Sequence, residues 1–184
     1  MCRKLLPVGR GVGKDLPTRK REGNAMPEND SYDSRDVAAY IAQQCRAQNI
    51  PYNNTKLQKL LYCAYGILLA WNGERICDEY PRAWQFGPVF PKVFSYFHKH
   101  GDISDYSDKV STGENDDVRA AISSAIKAFG KYPANQLSAW THKAGSPWDR
   151  AVNGDEVNEG AGLNRLIPDE FISNYFIDKV LSHG

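Results

Sequence analysis

The chain has 184 residues, 41% of them hydrophobic, and a net charge of +1. That length supports one domain with its own core, and the near-neutral balance excludes a strong overall field for nucleic acid or anionic lipid. The balance is uneven, because residues 1–25 carry seven Lys/Arg against Asp15 and Glu22, and the remaining 16 basic and 20 acidic residues give the rest of the chain a net charge of −4.

Residues 1–25 are rich in Gly, Pro, Lys and Arg and lack apolar periodicity, so a disordered basic tail is expected there. A second reading takes Met26 as the true start and the tail as upstream sequence read in frame. Leu5-Leu6 is far too short for the apolar part of a signal peptide. The four cysteines, Cys2, Cys45, Cys63 and Cys77, show no Cys-x-x-Cys spacing. They read as reduced thiols in a cytoplasmic protein.

A first helix is expected from Asp33-Ser34, with Val37, Ala38, Ile41 and Cys45 as its buried stripe. Asn49-Ile50-Pro51 ends it, since a residue before proline is pushed out of helical geometry. The stretch 55–71 then dominates the chain. Thr55 can cap a helix, Asn72-Gly73 supplies a left-handed stop, and Leu57, Leu60, Leu61, Ala64, Leu68 and Trp71 recur at helical spacing. Tyr62, Cys63, Tyr65, Ile67 and Leu69 make the other faces apolar too, which predicts a helix buried on most sides. Its uninterrupted apolar run is too short for a membrane span, which needs about 20 residues.

Residues 76–80 and 83–86, around Pro81, suggest a small two-stranded β element. Gly87-Pro88-Val89-Phe90-Pro91 forms a rigid corner leading to a third helix that turns Val89, Val93, Phe94 and Phe97 inward and ends at His98-Lys99-His100-Gly101. Residues 103–113 read as a polar loop. A fourth helix follows from Asn115 to the stop at Gly130, and a shorter fifth spans 135–144. Residues 146–162 read as an extended connection, and a last helix opens at Pro168-Asp169-Glu170. The expected fold class is mainly α: a single-domain helical fold around a buried central helix, with a small two-stranded β element.

Candidates for chemistry are few. His98 and His100 are two apart on a helix and point to different faces, with no third ligand nearby, so no metal is expected. Thr141 and His142 are adjacent on one helix and do not face each other as nucleophile and base; His142 reads as a cap. No phosphate loop, Gly-x-Gly-x-x-Gly fingerprint or paired carboxylates suggest a cofactor. The residues point to a binding protein and not to an enzyme. Two helices followed by a β element also imitate a winged helix-turn-helix, which keeps a DNA-binding regulator, autoregulatory through the first two helices or the tail, as the alternative. Against it, the second helix offers polar residues only at Lys56, Gln58 and Lys59, and the folded part is net acidic.

The run from Thr55 to Gly66 (Thr-Lys-Leu-Gln-Lys-Leu-Leu-Tyr-Cys-Ala-Tyr-Gly) resembles the opening of the Panacea domain. The resemblance continues through Trp84-Gln85-Phe86-Gly87-Pro88-Val89-Phe90-Pro91, Leu137-Ser138, Thr141-His142 and Ser146-Pro147-Trp148. Its motif positions are Lys56, Leu57, Lys59, Leu60, Trp84, Gly87, Pro88, Pro91, Thr141, His142, Pro147 and Trp148. The family is typified by SocA-like antitoxins and phage-associated relatives. The resemblance implies a helical domain over residues 26–184 that neutralises a cognate protein toxin by direct contact, in the SocA type as an adaptor to the ClpXP protease. It implies neither membrane association nor catalysis. Trp84, Phe86, Pro88, Phe90 and Trp148 are the candidate partner surface, with a second layer of core as the competing reading for each.

Overall fold

Short polar side chains cap the starts of four of the described helices, the central one among them. The computed structural model describes residues 31–154 and 163–182. The expected basic tail, Cys2 and most of the Gly/Asn-rich run before Gly162 lie outside them. The first helix, α1 (Ser34–Ala47), is capped by Asp33, whose side chain accepts from the Arg35 N–H. The central helix, α2 (Asn54–Asn72), starts earlier than expected: Asn53, in extended geometry, accepts from the Lys56 N–H and takes the capping role expected of Thr55. Gly73 at φ +78° closes it as the sequence predicts.

Every residue of α2 from Lys56 to Leu69 is buried. That full enclosure is the structural counterpart of its all-round apolar pattern. The enclosing helices are α1, α3 (Pro91–His100), α5 (Asp116–Phe129), α6 (Ala134–Thr141) and α8 (Asp169–Phe176), and residues 87–89 close one side. Asn115 caps α5. The α8 helix runs on into a π-helical turn, Ile177–Leu181. Gly66 lets the Phe176 ring lie directly on the α2 backbone, and Tyr62 meets that ring edge-on at 5.7 Å.

Three expectations change. The β element has three strands: β1 (Arg82–Trp84), β2 (Gly87–Val89) and β3 (Arg165–Leu166), antiparallel in the order β2-β1-β3. The hairpin turns at Gln85-Phe86, inside a segment expected to be one strand. Residues 76–80 form no strand, although Cys77 makes an isolated bridge to Tyr32. The loop at 103–113 contains a one-turn helix, α4 (Lys109–Thr112), held down by buried Ile103 and Val110. Residues 147–153, expected to be extended, form α7 (Pro147–Asn153). Ser146 accepts from the Asp149 N–H and Pro147 takes the first helical position, a start signal that the Gly/Asn-rich sequence downstream obscured. Cys45, Cys63 and Cys77 are buried free thiols. Among the described residues, no helix is long and apolar enough to cross a membrane.

Candidate partner-binding site

Four carbonyls of the β1–β2 hairpin each meet a polar atom of a different side chain. Trp148 Nε1 donates to Trp84 O at 2.8 Å, and Ser138 Oγ donates to Phe86 O at 3.2 Å. Lys59 Nζ donates to Pro88 O at 2.9 Å, while His142 Nε2 lies 3.0 Å from Gln85 O. A fifth bond runs the other way, from the Phe90 N–H to Gln58 Oε1 at 2.8 Å. The donors come from α2, α6 and its cap, and α7. Residues far apart in the sequence therefore converge on one short hairpin.

The convergence explains most of the motif. Leu57 and Leu60 are core residues of α2, and Lys56 beside them is buried. Lys59 is only 1% exposed, and burial lowers its pKa from 10.5 to about 7. Gly87 sits at φ +101°, and a Cβ there would lie 2.5 Å from Thr141 Oγ1 and 2.8 Å from Lys59 Cε. Only glycine gives both the backbone angle and the space. Pro91 opens α3, and buried Pro147 opens α7.

His142 caps α6 and bridges elements. Its Nδ1 lies 2.6 Å from Ser138 O, so both ring nitrogens face carbonyl oxygens. Only the imidazolium form donates to both. The Thr141 hydroxyl donates to the same Ser138 carbonyl at 2.8 Å, and Ser146 Oγ donates to Thr141 O at 2.7 Å. The Trp148 ring packs on His142 with centroids 3.9 Å apart. Thr141 and His142 are thus engaged in joining α6, α7 and the hairpin.

The five candidate surface residues separate. Phe86, at the turn, is 67% exposed. Trp84 is half-buried; its ring meets Phe94 edge-on at 5.0 Å, and its Nε1 donates to Asn164 Oδ1 at 3.1 Å. Trp148 is half-buried behind the hairpin. Pro88 and Phe90 are buried, Phe90 fully, with its ring 5.7 Å from Tyr65. These two side chains offer no surface in this fold, because β2 packs on α2.

Gln58, Ser138 and Asn164 complete the network and were not singled out as site residues. A buried glutamine next to a buried lysine on an apolar helix was the one available signal, since both need partners. The burial of Lys56, Gln58 and Lys59 also removes the polar face that a recognition helix would show to a DNA groove. His98 stacks on Phe94 and His100 on Tyr96, so the two rings lie on different aromatic neighbours. Among the described residues, no group of three His, Cys, Asp or Glu side chains is placed to hold a metal ion.

The family described as "Antitoxin SocA-like, Panacea domain" matches residues 57–149, a span that holds the central helix, the hairpin and the His142–Trp148 pair. Antitoxin SocA of Caulobacter vibrioides (strain NA1000 / CB15N) is 34% identical over 156 residues, covering 77% of this chain and 83% of that protein. No solved structure matches the chain.

Proposed function

The chain belongs to the SocA-like Panacea-domain family, and on that premise we propose that it is an antitoxin that neutralises a protein toxin by direct contact in the cytoplasm, without catalysis. One observation carries the siting of that contact. Phe86 projects from a turn whose flanking carbonyls are held by Trp148, His142, Ser138 and Lys59. A large exposed aromatic on a fixed support costs little ordering entropy on binding, which suits an anchor at the centre of a contact of about 800 Å² per partner. Trp84 and Trp148 flank it and support its position.

The test is co-expression with the product of the adjacent reading frame. The wild-type chain rescues growth and co-purifies with that product, and Phe86→Ala loses rescue while keeping its helical circular dichroism. Failure of the wild type to bind or protect rejects the antitoxin reading. A retarded fragment of its own promoter in the same preparation would instead make it a DNA-binding regulator. For the adaptor form of the proposal, the toxin is degraded faster with the antitoxin present, and only in cells that contain ClpXP. Equal half-lives with and without the protease leave neutralisation by contact alone.

A further inference from the structure

Of the links that hold the β1–β2 hairpin, the one at His142 depends on charge. The ring stands between two carbonyl oxygens, with Nδ1 2.6 Å from Ser138 O and Nε2 3.0 Å from Gln85 O. A neutral imidazole has one N–H, so either tautomer leaves a lone pair pointed at a carbonyl oxygen. The shorter contact, to Ser138 O, places the proton of the neutral form on Nδ1, and the bare Nε2 then opposes Gln85 O. The Ser138 carbonyl also receives the His142 N–H at 3.1 Å and the Thr141 hydroxyl at 2.8 Å, so it keeps donors in either charge state. The Trp148 ring, with centroids 3.9 Å away, limits how far the imidazole can turn to relieve the opposition. The change therefore falls on the hairpin, whose turn carries Phe86.

The other links do not change in this way. Trp148 Nε1 and Ser138 Oγ are uncharged donors to Trp84 O and Phe86 O. Lys59 keeps N–H groups whether charged or neutral, so its bond to Pro88 O survives the loss of a proton. The charged residues on the elements around the ring are few. Lys59 comes from α2, and Arg82 from the hairpin, where its Nη1 donates to Asn164 O at 3.0 Å. Lys143 follows the ring in sequence, α6 itself carries no charge, and α7 contributes Asp149 and Arg150. Asp149 accepts from the Gly145 N–H at 2.9 Å and from Asn153 Nδ2 at 2.6 Å, and Arg150 lies over the Phe171 ring. His142 is half-buried, so solvent exchanges protons with it.

We infer that His142 is a proton-controlled clamp on the partner-binding turn: the imidazolium ties Gln85 to the end of α6, and the neutral ring releases it. A clamped turn presents Phe86 with less ordering left to do on binding, so the contact with the toxin is tighter when His142 is charged. An imidazole ordinarily changes charge between about pH 5 and 8. This inference rests on the antitoxin reading and adds a means of regulating that contact.

The experiment uses the full chain at about pH 5.5 and about pH 8. Nitrogen NMR of the imidazole counts its protons, and amide hydrogen exchange, corrected for the intrinsic effect of pH, reads the hairpin. At the lower pH the ring should carry two protons and the β1–β2 amides should be protected on the order of tenfold better, the worth of one charge-assisted bond. The readout is local because the titration of Lys59 moves global stability in the opposite sense. In His142→Gln, which donates without titrating, hairpin protection should not depend on pH. The wild type should dissociate more slowly from the product of the adjacent reading frame at the lower pH. That difference should vanish in His142→Gln, which separates His142 from groups that titrate on the toxin. A ring with one proton at both pH values, or hairpin protection that ignores its charge, overturns the inference. If protection follows the charge but wild type and variant dissociate with one shared pH dependence, regulation of the contact is overturned and the antitoxin reading stands. If the wild type never binds that product, the antitoxin reading fails, and the NMR and exchange data still decide whether His142 clamps the hairpin.

Discussion

Lys59 Nζ lies 2.9 Å from the Pro88 carbonyl, and its Cε occupies the space where a side chain on Gly87 would begin. The lysine, the glycine and the carbonyl therefore form one unit. It joins the most buried helix to the strand that positions Phe86.

Burial gives Lys59 a defined pH signature. The folded chain holds its pKa at about 7, while the unfolded lysine sits near 10.5, so between these values the unfolded state binds the extra proton. Stability therefore rises with pH across that interval, and below about 7 both states are protonated and the penalty is constant. Cys63 and Cys77, whose thiols burial pushes upward, oppose the trend above the ordinary thiol value of 9.0. The rise is best read between about pH 7 and 8.5. The wild-type melting temperature should climb across this range and the climb should flatten in Lys59→Met. An identical slope in both proteins would mean that Lys59 is solvated.

Phe86 and Phe90 lie four residues apart in one motif and should behave oppositely. Phe86→Ala exposes nothing new and should change stability by at most about 0.5 kcal/mol. Phe90→Ala empties a fully enclosed site and should cost about 3–5 kcal/mol. Urea denaturation of both variants measures the contrast. Similar midpoints would place both rings in the same environment.

Trp148→Phe removes one donor and keeps most of the ring. The expected loss is about 1 kcal/mol, the worth of a single hydrogen bond. Hydrogen exchange should quicken at the β1–β2 amides before it changes in α5. Uniform loss of protection would show that Trp148 supports the whole core and not the hairpin alone.

Two glycines should resist alanine for different reasons. At Gly87 the backbone angle and the Thr141 and Lys59 contacts both forbid a Cβ, so Gly87→Ala should displace the hairpin. At Gly66 a Cβ would lie 2.4 Å from a Phe176 ring carbon, an overpacking cost of about 1–3 kcal/mol. Thermal melts give the stabilities, and near-ultraviolet circular dichroism follows the aromatic packing around Phe176. A melting temperature at or above wild type for Gly66→Ala would mean that Phe176 docks elsewhere.

Leu61 and Leu68 lie at 0% and 1% exposure on the central helix. Replacing either with Asp buries an unpaired charge, at several kcal/mol against a total stability of about 5–15 kcal/mol. Unfolded or insoluble protein is the expected result. A soluble Leu61→Asp with normal helicity would show that face to be open.

The central helix was legible because apolar residues on every side leave a helix few arrangements other than enclosure. The Gly73 stop was legible from Asn72-Gly73, whereas Val89, expected on the third helix, lies in β2, and that helix starts only at Pro91. The hairpin was read in the wrong place because its turn, Gln85-Phe86, uses neither glycine nor asparagine and looks like strand. Only Gly87, just past the turn, marks the positive backbone angle. The third strand could not be seen, since Arg165-Leu166 is two residues long and pairs with a segment some eighty positions earlier. The hydrogen-bond network was half visible. His142 and Trp148 stood out as motif residues, but their acceptors are main-chain carbonyls, which carry no residue-specific signature.

That last property separates two demands on the hairpin. The Gln85 and Phe86 links to the helical body run through their carbonyl oxygens, which every residue type supplies. Exchanging the side chains at those two positions leaves the fastenings intact. The tip is thus a replaceable fitting on a standard mount, and its side chains can be changed without rebuilding the frame beneath it.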